Sequence, residues 1–182
     1  DAKDYLSWST DEKVWREAMR YRLADYQLFD SIGKDGKDIT SPDDPDLLAI
    51  KTSLANGDVL TCSTYFNSWE TKRLKTNENA PENDKFANEL YLRAMTSTQG
   101  DHRITIVGYN DNLWCDINDN NKIDSGEMGA LKIANSWGKT NGNKGFTWVS
   151  YDSLNEISCV DGVTDVSTRK RALIEVTRID VK

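Results

Sequence analysis

Apolar positions along the chain fall into short runs with two different periods. Ser9-Thr10-Asp11-Glu12 fits a capping box, with Ser9 capping the first turn and Glu12 reaching back. Trp15, Ala18 and Met19 then share one face, which predicts a helix as far as about Arg20. From 21 to 29 the period drops to two and predicts a strand. A Gly/Asp/Ser/Pro-dense loop over 33–45 leads into a helix over 46–56, with Pro45 favouring its first turn, Leu47, Ile50 and Leu54 on one stripe, and Asn56-Gly57 as its stop. Residues 58–66 read as a strand with Leu60, Cys62 and Thr64 on one face. The charged, turn-prone stretch 75–85 is expected to protrude as a surface loop, and Phe86, Leu90 and Ala94 recur at helical spacing, predicting a short helix. His102 opens an apolar strand and Asn135 closes the next. A strand over 145–151, a helical turn over 152–156 and an alternating strand over 171–181, with Ala172, Ile174 and Val176 on one face, complete the pattern.

Composition narrows the class. The 182 residues suit one domain with a real core, and 37% apolar against 29% charged residues describe a polar-surfaced protein without a membrane-length apolar run. Thirty acidic against 23 basic residues give a net charge of −7, which argues against nucleic acid as a partner. The opening Asp-Ala-Lys-Asp-Tyr-Leu is neither a secretion signal nor an initiator start, so Asp1 reads as a boundary or processing site. Cys62, Cys115 and Cys159 allow at most one internal bridge and offer no C-x-x-C for zinc or redox work.

The candidate chemistry lies between Gly100 and Trp148. The stretch reads G-D-H-R-I-T-I-V-G-Y-N-D-N, an Asp/Asn-rich loop, G-A-L-K-I-A-N-S-W-G and K-G-F-T-W-V-S-Y, and His102 is the chain's only histidine. A neutral imidazole beside a side-chain amide is the His/Asn part of a Cys-His-Asn apparatus, in which the amide oxygen holds the ring in one tautomer. These ordered motifs closely resemble the C-terminal half of papain-like cysteine peptidases, where a motif like D-H-x-x-x-I-V-G-Y carries the catalytic His and one like K-I-x-N-S-W-G the Asn.

The resemblance covers roughly 46–151. It implies an α+β domain, an antiparallel, partly closed β-barrel with a few short helices, equivalent to the barrel lobe of such an enzyme. It also implies His102 as general base, Asn135 as its orienting partner and Trp137 as the indole shielding their hydrogen bond. The substrate would be a peptide or protein lying between this lobe and a Cys-bearing one. That family carries its nucleophile about 130 to 150 residues before the His, a position expected outside this chain. Cys62 is rejected as the nucleophile because it shares a strand face with Leu60 and Thr64 and lacks a helix N-terminus to lower its pKa. The isolated chain is therefore expected to hydrolyse no peptide. The alternative is a catalytically inert, calcium-stabilised binding or scaffolding module. Tyr65 and Trp69 are either ordinary buried aromatics or lining of a substrate cleft.

Asp116 to Glu127 has the spacing of a twelve-residue EF-hand loop: Asp116, Asn118, Asn120, Lys122, Asp124 and Glu127 stand at ligand positions 1, 3, 5, 7, 9 and 12. Lys122 would contribute its backbone carbonyl and Glu127 would bind bidentately, with Ile123 as the apolar anchor. Position 6, normally Gly, is Asn121, the next most tolerant residue for a left-handed conformation. The flanks read as strands, so a Ca2+ loop inside a hairpin is expected, with modest affinity suited to an extracellular, secreted setting.

Overall fold

The computed structural model describes residues 9–21, 23–29, 32, 38–164 and 169–181. The N-terminal hexapeptide and positions 33–37 of the first loop lie outside the described residues. Among the described residues helices are few: α1 (Glu12–Ala18) and α2 (Pro45–Ala55), with three short 3-10 turns. No helix among the described residues is long and apolar enough to cross a membrane. The described residues form one sheet of eight strands: β1 (Leu23–Phe29), β2 (Val59–Tyr65), β3 (Trp69–Arg73), β4 (Leu90–Met95), β5 (Asp101–Trp114), β6 (Met128–Ala134), β7 (Phe146–Ser150) and β8 (Ile174–Val181).

The order is β1-β8-β2-β5-β6-β7-β4-β3, a strand-rich α+β fold with an open sheet. This differs from the expected antiparallel, partly closed barrel in two respects. β1 and β3 remain as edges, and β4 runs parallel to β7, pairing Tyr91 with Trp148 and Leu92 with Val149. β4 thus pairs antiparallel with β3 on one side and parallel with β7 on the other.

The helix expected across Phe86, Leu90 and Ala94 is a strand instead. Tyr91 to Met95 are buried consecutively between β3 and β7, and an apolar run buried on both faces carries no period that separates helix from strand. The stretch 75–85 lies at the surface, with more than half of its residues exposed, but it is anchored at one point. Asn83 is fully buried. Its side chain accepts from the Trp114 amide at 2.8 Å and donates to the carbonyls of Trp114 and Lys75, both at 2.8 Å, clamping the stretch to the end of β5.

On β2 and α2 the expected periods hold. Leu60, Cys62 and Thr64 face inward on β2, and Leu47 and Ile50 of α2 join Ile104, Ile106, Leu131 and Ile133 in the main core. The cap of α1 is Asp11 rather than Ser9, accepting from the Lys13 amide at 2.8 Å. At the start of the last strand the alternation is interrupted: Leu173 is buried beside Ala172 and Ile174 only partly, while Val176 is buried as expected, and the irregularity coincides with a register shift against β2 between Thr61 and Ser63, where Glu175 takes a positive φ of 51°.

One glycine is dictated by contact. Gly129, the second residue of β6, has φ +97°, and a Cβ there would lie 2.2 Å from the Tyr151 ring. The ring of Tyr151, 2% exposed, fills the place of that side chain.

Candidate functional site

β2 and β5 pair antiparallel with Thr64 opposite His102, and β5 and β6 pair with Thr105 opposite Ala134. Asn135, one residue past β6, is held by its backbone N–H donating to the Gly145 carbonyl at 2.9 Å. These registers bring the two predicted residues together: His102 Nε2 lies 3.0 Å from Asn135 Oδ1. An amide oxygen only accepts, so this contact makes Nε2 the protonated nitrogen and leaves Nδ1 with a lone pair. Both residues are half-buried.

Trp137 stacks on the imidazole, with ring centroids 4.6 Å apart and planes at 27°. Trp137 itself remains 48% exposed. Phe66, which the sequence pattern did not single out, meets Trp137 edge-on at 4.4 Å and His102 at 6.1 Å. It sits in the turn just past the strand paired with β5, a position found only once the register is known.

A cleft of about 260 Å3 beside this cluster is lined by Phe66, Trp69, Leu90, Asn141, Gly142 and Thr147, among others. Trp69 thus both lines the cleft and packs against the core, donating its Nε1–H to Thr64 Oγ1 at 2.7 Å. Tyr65 is not in its lining. A larger depression of about 580 Å3 lies elsewhere, among Lys72, Lys75, Asn88 and Asp119.

None of the three thiols is placed to serve His102. Cys62 is fully buried with Sγ 4.0 Å from the Ile104 carbonyl, and burial pushes its thiol up to about 12. Burial also raises Cys115, and Cys159, which lies 3.3 Å from Asn155 Nδ2. All three are free, without a disulfide.

The second candidate site is the 116–127 loop, flanked by β5 and β6 as the pattern predicted. Asn121 takes a left-handed φ of 59° and Asp119 one of 62°. Asp116 and Glu127 are buried, Asn118 and Asp124 half-buried, and Asn120 and Lys122 exposed. The apolar anchor is Ile117, fully buried, while Ile123 is only half-buried. Two amides converge on Asp124 Oδ2, from Asn118 Nδ2 at 2.8 Å and Asn120 Nδ2 at 2.5 Å, and they hold its carboxyl below the usual range. Glu127 accepts from Ile117 and Asn118 amides on Oε1, and from Trp114 Nε1–H and the Asp124 amide on Oε2. Burial nevertheless raises its carboxyl.

Two lysines from β3 and its exit reach this loop. Lys72 pairs with Asp119, whose carboxyl it lowers, and Lys75 Nζ lies 2.6 Å from Asp116 Oδ2 and 2.9 Å from Asn121 Oδ1. The Asp116 hydrogen bond raises the Lys75 ammonium above its ordinary value. The loop is also tied to β4 by Tyr91 O–H to the Asp116 carbonyl at 2.7 Å and Arg93 Nε–H to the Ile117 carbonyl at 2.7 Å. No protein-family model and no curated protein matches the chain.

Proposed function

We propose that this chain is the His/Asn-bearing lobe of a papain-like cysteine peptidase and contributes half of a Cys-His-Asn site for peptide-bond hydrolysis. The observation that carries the reading is the 3.0 Å contact of His102 Nε2 with Asn135 Oδ1 beneath Trp137. With Nε2–H committed to the amide, Nδ1 is the nitrogen that exchanges protons with a substrate and nucleophile. It takes the proton of a cysteine thiol. The thiolate then attacks the peptide carbonyl carbon, and as the C–N bond breaks the imidazolium returns that proton to the leaving amine. Water next enters with His102 again as base, and the S–C bond of the acyl-enzyme breaks. Asn135 and Trp137 act as positioning residues, fixing ring orientation and limiting water at Nε2. The nucleophile comes from a Cys-bearing lobe, and the buried thiol of Cys62 is not used.

The test uses the full protein that carries this chain, with an internally quenched peptide as substrate. Turnover should stop on treatment with a thiol-directed epoxide, and His102→Gln should abolish it. Asn135→Ala should lower kcat by about 100-fold while changing KM little, as expected for a group that acts on proton transfer rather than on binding. The second reading, an inert peptide-binding module, is favoured by the absence of an accessible thiol beside His102 and by the aromatic cleft at Phe66 and Trp69. Peptide binding that survives His102→Gln, without epoxide-sensitive turnover in the full protein, would select it.

A further inference from the structure

Asp116 is 2% exposed, and one of its carboxylate oxygens, Oδ1, is buried without a hydrogen-bond partner. A buried carboxylate oxygen left unpaired is unfavourable. The other oxygen is fully used, by Lys75 Nζ at 2.6 Å and the Asn121 amide at 3.3 Å. Asn121 lies five residues further along the same loop, so that second contact turns the carboxylate head toward the loop. There the amide oxygens of Asn118 and Asn120 each accept one backbone N–H, from Asn120 and Lys122, and each keeps a second lone pair. Glu127 is different, since four N–H donors occupy its two oxygens.

We propose that the 116–127 loop takes Ca2+ through Asp116 Oδ1, and that the Lys75 ammonium competes with the cation for the same carboxylate. An ammonium on one oxygen and a dication on the other would set two positive charges within a few Å, so occupancy of the two is exclusive. Lys75 sits on a flexible four-carbon stem and is free to leave. The donors are all hard oxygens, which favours Ca2+ over zinc, and the irregular loop favours Ca2+ over the strictly octahedral Mg2+. Among the described residues no three His, Cys, Asp or Glu side chains group tightly enough to hold an ion. Amide and carbonyl oxygens therefore supply most of the ligation, and the affinity falls in the range of about 10⁻⁴ to 10⁻³ M. The inference does not depend on the peptidase reading.

Calorimetric titration of the chain with CaCl2, and in parallel with MgCl2, tests it. The expected results are a Kd for Ca2+ in that range, much weaker Mg2+ binding, binding at least about fivefold tighter in Lys75→Met, and none in Asp116→Asn. Circular dichroism checks each fold, and a Lys75→Met protein that folds only with Ca2+ present also supports the proposal. Asn118→Ala, on a half-buried side chain, provides a second variant and should weaken binding several-fold. No Ca2+ binding by wild type or Lys75→Met, unchanged affinity in both Asp116→Asn and Asn118→Ala, or Lys75→Met no tighter than wild type would each overturn it.

Discussion

Replacing Gly129 by Ala tests the packing that carries β6 to Asn135. The new Cβ would lie 2.2 and 2.3 Å from two carbons of the Tyr151 ring, and the backbone would remain at φ +97°. A non-glycine residue in such a conformation costs about 1–3 kcal/mol, and overpacking a filled core costs about 1–3 kcal/mol more. Tyr151 has little room to yield, being 2% exposed with its O–H donating to Asp111 Oδ1 at 2.6 Å. The sum, about 2–6 kcal/mol, is a large part of the roughly 5–15 kcal/mol stability of a domain. Urea unfolding followed by tryptophan fluorescence should show that loss as a lower midpoint with an unchanged slope. In a Tyr151→Ala background the clash disappears, and the same substitution should cost only about 1–3 kcal/mol for the backbone alone. A single-mutant loss below about 1 kcal/mol, or an equal loss in both backgrounds, would refute the steric argument.

Two further outcomes follow from the site geometry. At pH 8, an aromatic disulfide reagent should modify only Cys159 in the folded protein, since Cys62 and Cys115 are fully buried and burial raises both thiols; rapid labelling of Cys62 would reopen its exclusion as a nucleophile. Trp137→Ala should leave the fold intact and speed exchange of the His102 Nε2 proton, seen by NMR as loss of a protected imidazole N–H signal, because the stacked indole screens that proton from water. An unchanged exchange rate would mean that the 48% exposed indole shields nothing.

The candidate site was largely legible because its parts sit on regular strands. Alternation in β2 and β5 put Leu60, Cys62 and Thr64 on one face and His102 at a strand end, and antiparallel pairing carried Asn135 to it. Phe66 was not legible, because a residue in a turn shows no period. Lys75 was not either: it meets Asp116 across 41 residues, and its run of charged neighbours read as solvated loop. Leu90 to Met95 read as helix because an i, i+4 coincidence of apolar residues is indistinguishable from a strand buried on both sides.

By itself, the order of residues determined that the segments of β2, β5, β6 and β7 extend, where the imidazole and the amide stand on them, and the oxygen spacing of the 116–127 loop. These are local matters of side-chain alternation and backbone preference. Tertiary structure alone decided that β4 pairs parallel with β7, that the sheet stays open, that Asn83 is buried against Trp114, and that an ammonium faces Asp116. Each of those depends on groups distant along the chain, whose meeting is set by the burial and hydrogen-bond satisfaction of the whole sheet, and no window of neighbouring residues contains that information.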